Sequence, residues 1–134
     1  MRKAGVLMPV SALPSRVGAG ELGEAAFHFI ELLKKNHVKI WQILPLNPVG
    51  YGNSPYQPYS SCAGDEIYIS LDKLAEDGLL KTAPEAFLQN AKRVDYEAVR
   101  QYREPFLPEA FEVFTKKKGQ EESAYKEFAA QEWV

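Results

Sequence analysis

The residues best suited to chemistry stand in one short segment that is dense in tyrosine, glycine and proline. Residues 50–57 read Gly-Tyr-Gly-Asn-Ser-Pro-Tyr-Gln, shortly after the apolar run at residues 41–46. Glycine and proline set an irregular backbone path. Tyrosines on such a path offer flat apolar faces to sugar rings and hydroxyl groups to their hydrogen bonds. The segment therefore predicts a sugar-binding loop, and the alternative on composition alone is a packed surface loop.

A glycine pattern near the N-terminus favours a structural interpretation. Gly18, Gly20 and Gly23 match the G-x-G-x-x-G arrangement of phosphate-binding turns, and a helical pattern follows them. Glu21, however, would place a carboxylate where a pyrophosphate has to sit. We therefore interpret these glycines as a tight turn that leads into helix packing.

The histidines and the single cysteine give no catalytic or metal-binding pattern. His28 and His37 have no serine or cysteine close in sequence that would form a nucleophile and base with them, so surface or packing roles are expected. Cys62 lies in a run of small residues, where a buried, inert thiol is the ordinary expectation. One cysteine and two histidines also exclude an internal disulfide and the familiar zinc spacings.

Composition indicates an ordinary globular chain. It has 134 residues, of which 46% are hydrophobic and 25% charged, with a net charge of -2. That balance lacks the clustered positive charge by which proteins bind nucleic acid. No apolar run approaches the roughly 20 residues that cross a bilayer. We therefore expect a chain in solution, in the reducing cytoplasm, with neither nucleic acid nor membrane as a partner.

The hydrophobic pattern of the first half predicts a parallel crossover. Residues 5–10 and 39–46 are short apolar runs, as expected of strands buried on both faces. Between them, apolar residues recur with helical spacing from Glu21, and we expect the helix to end at Asn36. A strand, a helix and a strand with short links predict an α/β sheet or barrel.

The next segments read as a strand followed by helices. Residues 66–71 alternate like a short strand, and Asp72 is placed to cap a helix that ends before Gly78. Pro84 is placed to open another helix, and Asp95 to cap the one after it. Val94 and Val99 would form a hydrophobic staple around that cap.

Prolines and a glycine divide the C-terminal helical pattern. Pro105 and Pro108 have to bend or break it, Gly119 interrupts it, and residues 121–133 form its last stretch. The chain stops within that stretch without a cap, so we expect further sequence to follow. Four phenylalanines at helical spacing are expected in the core: Phe27, Phe29, Phe111 and Phe114.

The loop and its surroundings are similar to one known family. Almost residue for residue, the loop resembles the one after the second barrel strand in amylomaltases, the 4-alpha-glucanotransferases also called disproportionating enzymes. The likeness is strongest over residues 41–64. It also includes residues 5–9, 11–15 and 18–23, the Val94-Asp95-Tyr96 motif and residues 128–133. The chain therefore resembles the N-terminal region of that family.

The resemblance implies a fold and an activity. The fold would be a (β/α)₈ TIM barrel with inserted helical subdomains, of which this chain would be the incomplete opening. Residues 1–80 would hold the first βα units with the sugar-binding loop at 47–64, and residues 81–134 would begin a helical insertion. The family transfers alpha-1,4-glucan segments between malto-oligosaccharides by a retaining double displacement and needs no cofactor. Its catalytic carboxylates come from later strands, so this chain alone is expected to be inactive.

The resemblance also implies the residues that bind substrate. Tyr56 looks like the tyrosine that stacks on the sugar at the cleavage point, with Ser54 beside it and Gln57 in the same substrate-binding loop. Tyr51 resembles an aromatic residue of a secondary glucan site. Arg100 stands where some relatives have a second tyrosine of that outer site, so the resemblance does not extend to that position.

Other positions also depart from the family pattern. Met8 stands where a histidine is common, and Ala12 where serine is frequent. Asp65 and Glu66 replace the usual asparagine and proline. Two further interpretations stay open beside the enzyme: a non-catalytic glucan-binding module or inactive remnant, and a helical scaffold whose Pro/Tyr loop binds protein.

Overall fold

The computed structural model describes residues 2–87 and 92–131, in which a strand, a helix and a strand are followed by four further helices. The first unit consists of β1 (Gly5–Leu7), α1 (Glu24–Lys35) and β2 (Ile40–Gln42). The later helices are α2 (Leu71–Glu76), α3 (Tyr96–Arg103), α4 (Phe106–Lys116) and α5 (Ser123–Ala129). Short 3₁₀ turns lie at Val10–Ala12, Tyr51–Asn53, Glu66–Tyr68 and Gly119–Glu121.

β1 and β2 pair in parallel with α1 as their crossover, which confirms the pattern predicted from hydrophobic spacing. The register places Gly5 opposite Ile40. α1 ends at Asn36 as predicted, where the side-chain amide donates a hydrogen bond to the Leu32 carbonyl oxygen at 2.8 Å. Because the two strands are parallel, their carboxyl ends lie at the same edge of the sheet.

The strands differ from the prediction in length and burial. Both are shorter than residues 5–10 and 39–46, and on the β1 side Pro9, which has no N–H to donate, leads straight into a 3₁₀ turn. Leu7 is 57% exposed and Ile40 is 46% exposed, so the predicted burial on both faces is wrong. Among the described residues the sheet has two strands, and each is therefore paired along one edge.

One apolar cluster joins α1 to the strands. Val10, Leu13 and Ala26 are buried together, and the side chains of Phe29 and Trp41 pack against them. The Phe29 and Trp41 rings meet edge to face with their centroids 5.1 Å apart, a favourable aromatic geometry. This cluster fixes α1 on the two-stranded sheet.

A second cluster joins α3 to the loop after β1. Its buried residues are Ala19, Ile67 and Val99, and Val94 packs against them, in agreement with the predicted staple. The Asp95 carboxylate accepts a hydrogen bond from a first-turn N–H of α3 at 3.1 Å, so the predicted cap is confirmed.

A buried ion pair ties the same segments together. Glu21 Oε2 accepts a hydrogen bond from Arg103 Nη1 at 3.0 Å, and Glu21 Oε1 accepts one from the Ser70 hydroxyl at 2.7 Å. Arg103 also donates to the Ile69 carbonyl oxygen. The loop before α1, the start of α2 and the end of α3 therefore meet at one charged contact.

The strand predicted at residues 66–71 is wrong. These residues form a 3₁₀ turn and the start of α2, because two side chains satisfy backbone donors locally. Asp65 Oδ1 accepts from the N–H two residues on at 3.0 Å, and Ser70 Oγ accepts from the N–H three residues on at 3.4 Å. Ser70, and not Asp72, is thus the cap of α2.

The helix ends predicted from prolines and glycines in the second half are confirmed in part. α2 ends before Gly78, as predicted. The helix predicted to open at Pro84 is wrong over residues 84–87, which are not helical, and its continuation at 88–91 lies outside the described residues. α3 ends and α4 begins around Pro105 as expected.

Pro108 does not break a helix, contrary to the prediction, and the last helix has shorter bounds than predicted. Pro108 fits in the first turn of α4, where the backbone N–H groups have no helical acceptor to lose. Gly119 interrupts the helical pattern as predicted. The helix predicted at 121–133 begins at Ser123 and ends at Ala129, and residues 132–134 lie outside the described part.

Several predicted core residues lie at the surface. Phe27 and Phe111 are 56% and 64% exposed, whereas Phe29 and Phe114 are half-buried. Phe27 and Phe29 are two positions apart on α1, so they cannot both face the cluster. Cys62, expected to be buried, is exposed.

Gly20 marks a close backbone approach that generates a prediction. A Cβ atom there would lie 2.0 Å from the Val10 carbonyl oxygen. We expect Gly20→Ala to lower the free energy of unfolding by about 3 kcal/mol, because the backbone has to shift to relieve the overlap. Urea denaturation measures this change. Gly64→Ala is the matched control, since a Cβ at Gly64 meets nothing within 4 Å, and equal midpoints for the two variants would contradict the prediction.

Candidate functional site

The tyrosine loop, residues 47–64, is closed at its base by hydrogen bonds between its two ends. The Asp65 N–H donates to the Leu46 carbonyl oxygen at 2.7 Å. One residue further into the loop, the Asn47 side-chain amide donates to the Ala63 carbonyl oxygen at 2.9 Å. The loop therefore leaves the sheet and returns to the same point, as compact surface loops do.

Backbone hydrogen bonds continue this pairing toward the tip. The Tyr59 N–H donates to the Pro48 carbonyl oxygen at 3.0 Å, and the Gly50 N–H donates to the Gln57 carbonyl oxygen at 3.2 Å. Gly50 also lies under the Tyr59 ring, whose nearest atoms are 3.4 Å from the position a Cβ would occupy. The two arms of the loop are thus held against each other.

The tip of the loop has a specific backbone conformation. Gly52 and Asn53 have φ angles of +80° and +53°, in the left-handed region that glycine and asparagine tolerate best. The Ser54 hydroxyl oxygen accepts a hydrogen bond from the Tyr56 N–H at 3.4 Å. This is the irregular path that the glycines and proline of the sequence predict.

All four predicted site residues lie at this tip. Tyr51 is 98% exposed and Tyr56 is 71% exposed. Gln57 is exposed, and Ser54 is half-buried. The tip therefore presents two aromatic rings, a hydroxyl and an amide from neighbouring positions. Tyr59 adds a third ring from the returning arm, at 81% exposure.

Beside the loop lies a cleft of about 340 Å³, here called the strand-end cleft. It opens where the chain leaves β1 and β2, which is the edge at which α/β folds place their ligand sites. The residues that line it come from the β1 exit, the segment after β2, the tyrosine loop and the start of α3: Pro9, Val10, Ser11, Ala12, Leu44, Leu46, Val49, Asn53, Pro55, Asp65, Tyr68, Val94 and Tyr96.

The cleft has mostly apolar walls with a few polar groups. Its polar side chains are a hydroxyl, an amide, a carboxylate and two phenols, from Ser11, Asn53, Asp65, Tyr68 and Tyr96. Apolar walls with a small number of directed polar groups are typical of small-molecule sites. Hydroxyl and amide groups can both donate to and accept from a polyhydroxylated ligand.

The four predicted site residues do not themselves line the strand-end cleft. Their neighbours Asn53 and Pro55 do, so the tip of the loop stands at the rim of the cleft. Sequence reasoning did not assign Tyr68 or Tyr96 to the site. Tyr96 belongs to the Val-Asp-Tyr motif that the resemblance includes, whereas Tyr68 fell within the wrongly predicted strand.

Both carboxylate oxygens of the acid in the cleft wall accept hydrogen bonds. Among the described residues, Asp65 is the one acid that lines the strand-end cleft, and Arg100 of α3 donates a hydrogen bond to each of its carboxylate oxygens. The hydrogen bond to Asp65 raises the pKa of Arg100 above its already high ordinary value, so the guanidinium stays charged. An ion-paired carboxylate of this kind is poorly suited to attack a sugar.

The described residues do not form a metal site or a membrane helix. Within residues 2–87 and 92–131, no three His, Cys, Asp or Glu side chains are grouped so that they could hold a metal ion. In the same ranges, no helix has the length and apolar character needed to cross a bilayer.

Comparison with known proteins gives consistent matches. The model of the 4-alpha-glucanotransferase family matches residues 8–134. A 4-alpha-glucanotransferase of Synechocystis sp. is 45% identical over 118 residues, which are 84% of this chain and 23% of that protein. A 4-alpha-glucanotransferase of Thermus thermophilus is 41% identical over 121 residues, which are 90% of this chain and 24% of that protein.

A solved structure matches the fold. The structure of amylomaltase from Streptococcus agalactiae in complex with acarbose superimposes with a TM-score of 0.82 at 34% identity. The match covers 96% of this chain and 26% of that chain. The chain thus spans about a quarter of the length of the proteins it matches.

The burial of Tyr68 predicts how the free energy of unfolding changes at alkaline pH. Burial raises the pKa of the Tyr68 phenol above the ordinary value of about 10, with the neighbouring Tyr96 and Asp65 adding to the effect. As the pH rises past that value, the unfolded state loses the proton first. The free energy of unfolding should therefore fall with rising alkaline pH, and less steeply in Tyr68→Phe.

Urea denaturation between pH 8 and 11 measures the two slopes, with pH values chosen to span the ordinary tyrosine pKa of about 10. Tyr51→Phe is the control, because it removes a hydroxyl from a side chain that is 98% exposed. An identical alkaline slope in wild type and Tyr68→Phe would show that this phenol does not contribute.

Proposed function

The chain belongs to the 4-alpha-glucanotransferase family, as its sequence resemblance predicts, and on that premise we propose that it supplies a glucose-binding loop to a glucan-transferring protein. Because the chain spans about a quarter of its relatives, the activity of the whole protein is part of this proposal. The reaction is transfer of alpha-1,4-glucan segments between malto-oligosaccharides by retaining double displacement.

One observation carries the proposal: the ring of Tyr56 is 71% exposed at the tip of a loop that its own hydrogen bonds hold closed. An exposed aromatic side chain on a backbone held by such hydrogen bonds loses little conformational entropy when it binds. Its position at the rim of the strand-end cleft places the ring beside polar groups. These features together suit stacking on a pyranose ring.

The individual roles follow from the chemistry of each side chain. Tyr56 stacks on the sugar, and the Ser54 hydroxyl and the Gln57 amide hydrogen-bond its hydroxyl groups. Tyr51 offers a second, outer stacking surface. The similar amylomaltase from Streptococcus agalactiae was solved with acarbose bound, which supports a saccharide as the ligand of this family.

The bond-breaking groups lie elsewhere in this proposal. A retaining mechanism requires two carboxyl groups about 5–5.5 Å apart, one as nucleophile and one as acid and base. The acid in the strand-end cleft, Asp65, is held by Arg100. We therefore place the catalytic carboxylates outside residues 1–134.

The architecture and setting complete the proposal. Residues 1–80 form the first βα units of a TIM barrel, and residues 81–134 belong to a helical insertion. The parallel β1–α1–β2 unit with a cleft at its strand ends supports this division. We place the protein in the cytoplasm, where starch, glycogen or maltodextrin fragments are its substrates, and without a cofactor.

The 134-residue chain by itself should produce no glucose and no longer oligomers from maltotriose, because it lacks the two catalytic carboxylates. Chromatography of the products after incubation measures this, with the complete protein encoded by the gene as the active control. Turnover by the short chain would overturn the placement of the acids. Binding of glucans without turnover by the complete protein would favour the non-catalytic binding module.

Removing the ring of Tyr56 should weaken glucan binding. In the complete protein we expect Tyr56→Ala to raise the Kd for maltoheptaose about tenfold, as loss of a buried apolar contact worth about 1.4 kcal/mol would. Isothermal titration calorimetry measures the Kd. Tyr125→Ala removes a partly exposed tyrosine from α5 and serves as the control. An unchanged Kd in Tyr56→Ala would argue against the stacking role.

A further inference from the structure

One arginine and two acids that lie far from it in the sequence are neighbours in the structure. Arg100 of α3 donates from Nη1 to Asp65 Oδ1 at 3.0 Å and to Glu66 Oε1 at 3.1 Å. From Nη2 it donates to Asp65 Oδ2 at 2.5 Å. Thirty-four or more positions of sequence separate Arg100 from these acids, so the fold itself brings them together.

Asp65 is the point at which this cluster meets the tyrosine loop. Its N–H closes the loop by donating to the Leu46 carbonyl oxygen at 2.7 Å. Its carboxylate, 2% exposed, also accepts from the Ile67 N–H at 3.0 Å. One residue thus holds the loop base, the following 3₁₀ turn and α3.

We propose that Arg100 and Asp65 are positioning residues: their ion pair fixes the base of the tyrosine loop against α3 and so sets where Tyr56 stands at the cleft. This inference rests on the proposed function for the role of Tyr56, although the clamp itself is a property of the fold. The planar guanidinium of Arg100 donates to both oxygens of the Asp65 carboxylate, which fixes the orientation of the two groups as well as their distance.

A second arginine of α3 provides the comparison that isolates this role. Arg103 binds Glu21, which accepts a hydrogen bond from Ser70 at the start of α2. Both pairs attach α3 to the rest of the chain, and both involve a buried carboxylate. Of the two pairs, the one made by Arg100 includes Asp65, the residue whose N–H closes the loop.

The experiment compares two neutral double variants of the complete protein, R100M/D65N and R103M/E21Q. Each removes one ion pair of α3 without leaving a buried charge unpaired, which single substitutions would do. Amide hydrogen exchange is measured at the loop donors Gly50 and Tyr59 and, as a reference, in α1. The KM and kcat for maltotriose and the Kd for maltoheptaose are measured in parallel.

In R100M/D65N, we expect exchange at the two loop amides to accelerate about tenfold relative to α1, because local opening becomes easier. We expect KM to rise about fivefold with kcat changed less than about twofold, as loss of uniform binding produces. In R103M/E21Q, loop exchange and KM should stay within about twofold of wild type.

Two results would overturn the inference. One is wild-type loop exchange in a folded R100M/D65N, and the other is the same loop exchange and KM increase in R103M/E21Q. If the first double variant does not fold, Arg100→Lys decides, because it keeps the charge and removes the fork. Faster loop exchange in Arg100→Lys supports the clamp, and unchanged exchange overturns it.

The exchange measurement separates this inference from the proposed function. It is made without sugar, so it tests the clamp even in a protein that binds no glucan. Absence of maltoheptaose binding by the wild-type complete protein would overturn the proposed function, while the loop exchange rates would still decide whether Arg100 and Asp65 hold the loop.

Discussion

The buried carboxylate of Glu21 is the constraint that the second half of the chain has to satisfy, because its oxygens need partners. Its ion pair with Arg103 and its hydrogen bond with Ser70 join the loop before α1, the start of α2 and the end of α3. A carboxylate taken out of water is costly unless it is paired and hydrogen-bonded. Glu21 meets that condition with partners at the start of α2 and the end of α3, which the apolar cluster around Val99 also packs together. A separate apolar cluster around Val10 packs α1 against the sheet.

Local signals in the sequence predicted a large part of the fold. The apolar period gave the β1–α1–β2 crossover, and Asp95 and Asn36 mark helix ends because capping depends on neighbouring residues. Residues 66–71 alternate like a strand, but the side chains of Asp65 and Ser70 bind nearby backbone N–H groups and favour a turn and a helix. Alternation describes side-chain direction and does not show where the backbone hydrogen bonds go.

The candidate site could also be predicted only in part. The tip of the tyrosine loop could be predicted because glycine, proline and tyrosine are close in sequence and belong to no regular period. The cleft could not, since Tyr68 and Tyr96 reach it from segments whose approach depends on tertiary contacts. The pair of Arg100 and Asp65 is of the same kind. Each residue alone is an ordinary surface charge in the sequence, and its role depends on the other.

The exposed Cys62 has a practical consequence. It is the one cysteine of the chain, and it stands on the returning arm of the tyrosine loop, where the Ser60 hydroxyl accepts hydrogen bonds from the Cys62 and Ala63 N–H groups. Within these 134 residues a thiol-reactive fluorophore or spin label therefore has a single attachment point. The natural sequence already carries a reporter position in its proposed sugar loop, a few residues from Tyr56 and at the opposite arm from Tyr51.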